Sequence, residues 1–349
     1  MAAVTASTIA DALAQEYPEL ASTIFRHFLL SQIIPVKPGS GKNDSFDVRF
    51  RSTQAARNAT DGLDVTDYIA DTFVPATGVW AEYDAAVKVT GLSMAVAASS
   101  NGTPSEVKDQ FGSALDAAYE ELAVLLRTDA YAGTSTSPQS LIGLYGGTTV
   151  GALGSTGTYY NINRGGSAPL PNWAGNVLRN GGFTRSITGK LLDSAFTAVF
   201  DARGTAPNVL ITTSALFDGL KDQFNARYTR EINVGSTNMT IQGGYRAIMW
   251  NGVPIIRDPG CPTGCVLGLD TSTLSFRQLT PVNDPFVMAT TATLKASGTM
   301  DMPAGQIPFT VQVKPLSIGG DYVRYQVGWK GQLRCMEPAH NFVLADLVP

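Results

Sequence analysis

Thr103-Pro104-Ser105-Glu106 compresses a helix start into four residues. Thr103 can accept from a backbone N–H of the first turn, Pro104 suits the position where no N–H is needed, and Glu106 answers both an orphan donor and the helix dipole. Val107, Phe111, Leu115, Ala118, Leu122 and Leu125/Leu126 then recur at steps of four and three until Gly133 stops the run. The spacing predicts a helix over 104–131, roughly 40 Å long at about 1.5 Å per residue. That is more than a small domain needs to cover one sheet. The helix is a spine, with Val107, Phe111, Leu115 and Leu122 expected against terminal strands that carry Tyr325, Val327 and Trp329.

The chain on either side changes period. Residues 1–33 are helical in spacing (Ile9, Leu13, Leu20, Ile24, Phe28, Ile33) and break at the glycine-rich Lys37 to Asp44. Phe46, Val48 and Phe50 then alternate with Asp47, Arg49 and Arg51, and a second strand-like run, 86–90, follows about forty residues on. Between them lies a polar stretch with Arg57, Asp61, Asp64, Asp67 and Asp71. This reads as a long two-stranded projection with a charged tip, which buries too little to be stable alone. Arg49, Arg51, Arg57, Asp61, Asp64 and Asp67 are its candidate subunit-interface residues. Residues 133–183 are rich in Gly, Ser, Thr and Asn and read as irregular connections. Beyond them come a helix over 187–202 ending at Arg203-Gly204, a strand over 208–212, a helix over 214–223 capped by Ser214, and a hairpin turning at Asn251-Gly252. From Val266 onward the pattern is that of strands, including 309–313 and 323–329.

Composition narrows the function. Apolar residues make up 44% and charged residues 15%, with mean hydropathy +0.03, so much of the surface is expected to meet protein. A net charge of −4 argues against gripping nucleic acid as the main task. No window is long and apolar enough to span a bilayer, and the first twenty residues lack the basic start of a signal peptide, so a cytoplasmic origin is expected. Three cysteines make no disulfide framework.

Catalytic constellations are missing. The two histidines, His27 and His340, neighbour no Gly-x-Ser-x-Gly elbow. Gly182 to Lys190 imitates a phosphate loop, but Thr184 stands where its first glycine belongs and Leu191 where Ser or Thr should follow the lysine; a helix start accounts for it better. Cys261, Cys265, Cys335 and His340 could supply a tetrahedral zinc site in two short pairs. The pairs lie about seventy residues apart, and a turn with two loop thiols, a core cysteine and a surface histidine explains the same residues. No catalytic residue, cofactor or metal is expected.

In order, these are a helical arm, a β projection, a capped spine helix, a mixed α/β unit and long terminal strands. The most family-like segments are PNVLITTSALFDGLKD (207–222), GGYRAIMWNGVPIIRD (243–258), VLGLDTSTLSFRQL (266–279) and YQVGWKGQLRCMEPAHNFVLADL (325–347). Together they resemble the Hong Kong 97 fold of tailed-bacteriophage major capsid proteins, an α+β architecture. The resemblance implies an N-arm at 1–43, an extended β-hairpin loop at 44–92, a peripheral domain at 93–184 with its terminal strands at 280–349, and an axial domain at 185–279. It further implies a non-enzymatic structural protein that assembles as hexamers and pentamers into an icosahedral virion shell, in the host bacterial cytoplasm, around double-stranded DNA held without sequence specificity. Expected partners are other copies of the chain, a separate scaffolding protein, a portal and a decoration or cement protein; no membrane is expected. The crosslinking variant of the family needs a loop lysine, and 45–87 contains none, so covalent crosslinking is not expected.

Two other readings share parts of this pattern. An encapsulin-like nanocompartment would keep the fold and enclose cargo enzymes. An extracellular β-rich adhesin would use the Thr/Gly-rich strands and aromatics such as Tyr159, Tyr160 and Trp173 to meet a glycan.

Overall fold

The computed structural model describes residues 28–50, 72–90, 104–134, 140–145, 151–164, 173–223, 229–230, 247–279, 312–315 and 322–349. Its strands in chain order are β1 (Val36–Gly39), β2 (Asp44–Phe50), β3 (Thr72–Gly78), β4 (Ala81–Thr90), β5 (Thr158–Tyr159), β6 (Ile162–Asn163), β7 (Asn176–Leu178), β8 (Arg185–Ser186), β9 (Val209–Thr212) and β10 (Thr229–Arg230). Then follow β11 (Ala247–Trp250), β12 (Val253–Arg257), β13 (Val266–Leu269), β14 (Leu274–Leu279), β15 (Gln312–Pro315), β16 (Tyr322–Cys335), β17 (Phe342–Leu344) and β18 (Leu347–Val348). The helices are α1 (Pro104–Ala132), α2 (Gly189–Arg203) and α3 (Ser214–Gln223), preceded by a single turn at Leu30–Ile33.

The first sheet is organised around β16. Its 322–331 half pairs antiparallel with β4, while β15 and β14 lie end to end along the opposite edge and β1 runs parallel outside β14. The alternation in β4 and β16 places Tyr83 opposite Trp329, Ala85 opposite Val327 and Val87 opposite Tyr325. This is the face against α1, which packs on β4 foremost and on β16 beside it. Leu115, Leu122, Leu126, Tyr325, Val327 and Trp329 share one core cluster. The spine helix thus meets the terminal strand as its spacing predicts, with β4 sharing the contact. Val107 and Phe111 lie on α1, but their side chains fall outside the described residues.

The second sheet has the order β10-β11-β12-β9-β13-β17-β7. Successive residues of its central strands point into two cores. Val209 and Ile211 of β9, Leu267 of β13 and Val343 of β17 enter the core shared with α1 and β16, whereas Leu210, Val266, Phe342 and Leu344 enter one covered by α2 and α3. Burial on both faces explains why these strands read as continuous apolar runs. α2 begins two residues later than the expected 187, with Thr188 as cap accepting from the Leu191 N–H (3.4 Å), and Gly204 ends it at φ 70°, the end its sequence predicts. The β11–β12 turn holds Asn251 and Gly252 at φ 48° and 82°, the two positive values a type I′ hairpin requires.

Several expectations are corrected. The partner of β2 is β3, from Phe50↔Thr72 to Asp44↔Gly78, and not 86–90, which lies in β4 of the first sheet. The paired strands of the extended loop expected over 44–92 therefore end at Gly78; β4 is drawn to β16 because its alternate side chains complete the apolar face beneath α1. β14, at the end of the 185–279 segment, pairs within the first sheet, and β17, near the end of 280–349, is interior to the second. Ser214 is the first helical residue of α3, with the Phe217 N–H bonding to Thr213 O (2.9 Å) one residue earlier.

Two chain crossings join the sheets side by side: 270–273 between β13 and β14, and 336–341 between β16 and β17. Fully buried Asn341 pins them together. Its Oδ1 accepts from the Asp270 N–H (2.7 Å), and its Nδ2 donates toward Thr273 Oγ1 (3.2 Å) and Glu337 O (3.2 Å). Asn341→Ala would orphan the Asp270 N–H and open a small gap, at an expected cost of about 1 to 3 kcal/mol. Urea denaturation measures it, and an unchanged midpoint would contradict the pinning role.

Candidate assembly site

The β2–β3 pair is rooted on the body by a buried carboxylate. Asp44, 2% exposed at the first position of β2, accepts from Arg334 Nε (3.0 Å) and from Arg334 Nη2 in a two-pronged pair. Tyr160 donates its hydroxyl to the same carboxylate (2.9 Å), and Arg277 Nε lies 3.8 Å away. Burial, and then the neighbouring Arg334, pull the Arg277 guanidinium below its ordinary range. The Arg334 guanidinium sits 4.4 Å above the Phe46 ring, which meets Tyr160 edge-on at 5.4 Å and Trp173 at 5.9 Å. Gly78 closes the root because a β-carbon there would lie 2.6 Å from the Tyr160 ring.

A second cation supports this aromatic stack from behind. Arg164, 3% exposed, donates to the carbonyls of Gly151 (2.9 Å), Gly154 (2.7 Å) and Ala152 (2.8 Å) and lies 4.7 Å over the Tyr159 ring. Burial lowers its pKa to about 10, so it stays charged at neutral pH. Tyr159 accepts from the Cys335 N–H (2.8 Å), tying the stack to β16. Tyr159, Tyr160 and Trp173 are thus interior residues, at 1%, 2% and 0% exposure, and they offer no glycan platform of the kind the adhesin reading needs.

Of the candidate interface residues, Arg49 lies on β2 with its side chain outside the described residues, as are Arg51, Arg57, Asp61, Asp64 and Asp67 entirely, and His27 likewise. Cys261, Cys265 and Cys335 are all buried, the first two in the connection between β12 and β13. His340 lies between Glu337 (2.7 Å) and Asp270 (3.5 Å). Among the described residues no group of three or more His, Cys, Asp or Glu side chains is placed to hold a metal ion. Residues 182–190 lead into α2 with Thr188 as its cap, the helix start expected in place of a phosphate loop.

Burial also raises the thiols, Cys265 to about 11 and Cys335 to about 12, from an ordinary 9.0. Because the folded values are the higher ones, this contribution to stability is intact below pH 9 and declines as pH climbs toward 11 to 12. Folded protein at pH 8 should leave its thiols unmodified by iodoacetamide, and alkaline unfolding should set in above pH 9. Rapid labelling of the native chain at pH 8 would contradict the burial.

No protein-family model matches the chain, and no curated protein does. Solved structures do. The chain superimposes over 93% of its length on 93% of a chain of the cyanophage A-1(L) capsid asymmetric unit, with a TM-score of 0.70 at 16% identity. It has the Hong Kong 97 capsid fold. The same capsid fold explains a similarity to the holo-SrpI encapsulin complex from Synechococcus elongatus PCC 7942, with a TM-score of 0.51, 13% identity, and coverage of 92% of this chain and 87% of that one. A chain from Mycobacterium phage Patience matches at a TM-score of 0.50 and 11% identity, over 99% of this chain and 90% of its own. The Asp44 root, together with Phe46, Val48 and Val74 packed on the larger core, holds the described part of the β2–β3 pair against the body.

Proposed function

We propose that the chain is the major capsid protein of a tailed phage, a structural subunit and not an enzyme, whose copies close as hexamers and pentamers into a shell around double-stranded DNA. The observation that carries this reading is the near-complete match to a cyanophage capsid chain, covering 93% of each chain at a TM-score of 0.70. An encapsulin shell is the second reading, favoured by the Synechococcus similarity, which is weaker at 0.51. The firm rooting of the arm supports assembly, since a two-stranded arm held at its base can reach a neighbouring copy while the body stays folded. Scaffolding, portal and decoration proteins belong to this proposal as partners.

Expression of the chain alone and with a candidate scaffolding protein, followed by sedimentation and electron microscopy, tests it. Closed particles are expected, and particles from infected cells should protect DNA from nuclease. Particles carrying an enzyme cargo and no DNA would favour the compartment, and a chain that remains monomeric in both settings would overturn both. Deleting 57–71 should leave a soluble, folded subunit that no longer closes, because complementary charges of about 0 to 1 kcal/mol each gain their force only by repetition around a shell. Normal particles from the deletion would remove the arm from the assembly mechanism.

A further inference from the structure

We propose that Phe183 is an assembly anchor by which one copy of this chain docks onto the outer face of α1 in a second copy. The inference rests on the shell reading above and names one of its contacts. Phe183 is 78% exposed, more than any other large apolar side chain among the described residues. A lone exposed apolar residue is ordinary. What sets this one apart is the turn beneath it. Gly181 and Gly182 take φ 66° and 86°, and Asp346, itself at φ 60°, accepts from the N–H groups of Asn180 (2.9 Å) and Gly182 (3.2 Å). The Phe183 N–H returns to Asn180 O (3.2 Å), while Asn180 Nδ2 donates to Phe183 O (2.9 Å). Three left-handed residues and four hydrogen bonds therefore fix the backbone that presents the phenyl ring to solvent. A backbone ordered in advance loses less conformational freedom on binding, which favours an interface contact.

The receiving face follows from chemistry. Arg179 and Arg185 both act on the single carboxylate of Asp346, so cations outnumber anions on the turn that carries the ring. On the outer side of α1, Val124 (38% exposed) and Leu125 (46%) lie one helical turn from the exposed acids Glu120 and Glu121. An apolar spot bordered by acids complements an aromatic knob bordered by bases. Knob and spot are different patches of the same chain, so the contact is head-to-tail, the kind that builds rings and larger assemblies.

The test uses the full chain under conditions in which it assembles, with Phe183→Ala, Leu125→Ala and the double variant compared by sedimentation. Phe183 is 78% and Leu125 46% exposed, so thermal unfolding of the variant subunits should stay close to the parent. Phe183→Ala should raise the concentration needed for assembly at least about tenfold. The double variant should be little worse than Phe183→Ala alone, because contacting residues are not additive. Assembly of Phe183→Ala at the parent concentration would overturn the anchor, and independent, multiplying effects would overturn the α1 docking face. Should the parent chain itself form no particles, the shell reading falls first and this contact with it.

Discussion

Asp44→Ala should lower the stability of the subunit by about 3 to 5 kcal/mol, the range for removing one partner of a buried ion pair. The cost comes less from the lost attraction than from what remains. Arg334 would keep a guanidinium in a site sealed by Phe46 and Tyr160, with Arg277 close by and no anion between the two cations. Asp44→Asn separates charge from shape, since it preserves volume and a hydrogen-bonding oxygen and should fall between the two. Replacing Asp44 by Leu together with Arg334 by Met should recover most of the loss, as apolar substitutes for buried pairs often do. Guanidinium denaturation measures all three variants. Equal stability of Asp44→Ala and the parent would mean the root is held by aromatic packing alone.

Leu115→Ala should cost about 2 to 5 kcal/mol and yield poorly soluble subunits. Leu115 is 3% exposed on the face of α1 that meets the β4 and β16 strands, within the cluster that includes Tyr83, Leu122 and Trp329. A 29-residue helix packed across a sheet has little freedom to collapse into a cavity near its middle, which puts the expected cost in the upper part of that range. Leu125→Ala, at a 46% exposed position of the same helix, serves as the control and should be nearly neutral. A melting temperature indifferent to Leu115→Ala would remove the spine from the core.

What the sequence revealed divides along physical lines. Elements with local signals were readable: α2 from Gly204, the β11–β12 hairpin from Asn251-Gly252, and α1 from a periodicity sustained over about five turns. Pairing between distant strands was not, because alternation says which residues share a face and nothing about which strand lies alongside. Hence 86–90 looked like the return of the arm, while its partner was β16, more than two hundred residues away. The Asp44 root was hidden for a related reason. Asp44, Tyr160, Arg277 and Arg334 come from four separate stretches, and each alone reads as an ordinary surface polar residue. The available clue was Arg334 between Leu333 and Cys335 at the end of a strand, since a charge buried at such a position needs a partner.

The central place of β16 and β17 has a consequence for how the subunit is made. β4, β14 and β15 share β16 as their partner, and β17 fills the gap between β13 and β7. Residues 322–344 are synthesised after all of these strands, so a nascent chain emerging from the ribosome holds two unfinished sheets with open edges until that stretch appears. Neither sheet can seal first and wait for the other, because both receive their missing strand from the same short segment. Translation order thus acts as a checkpoint, and a prematurely terminated chain offers neighbours unpaired edges where a finished surface should be.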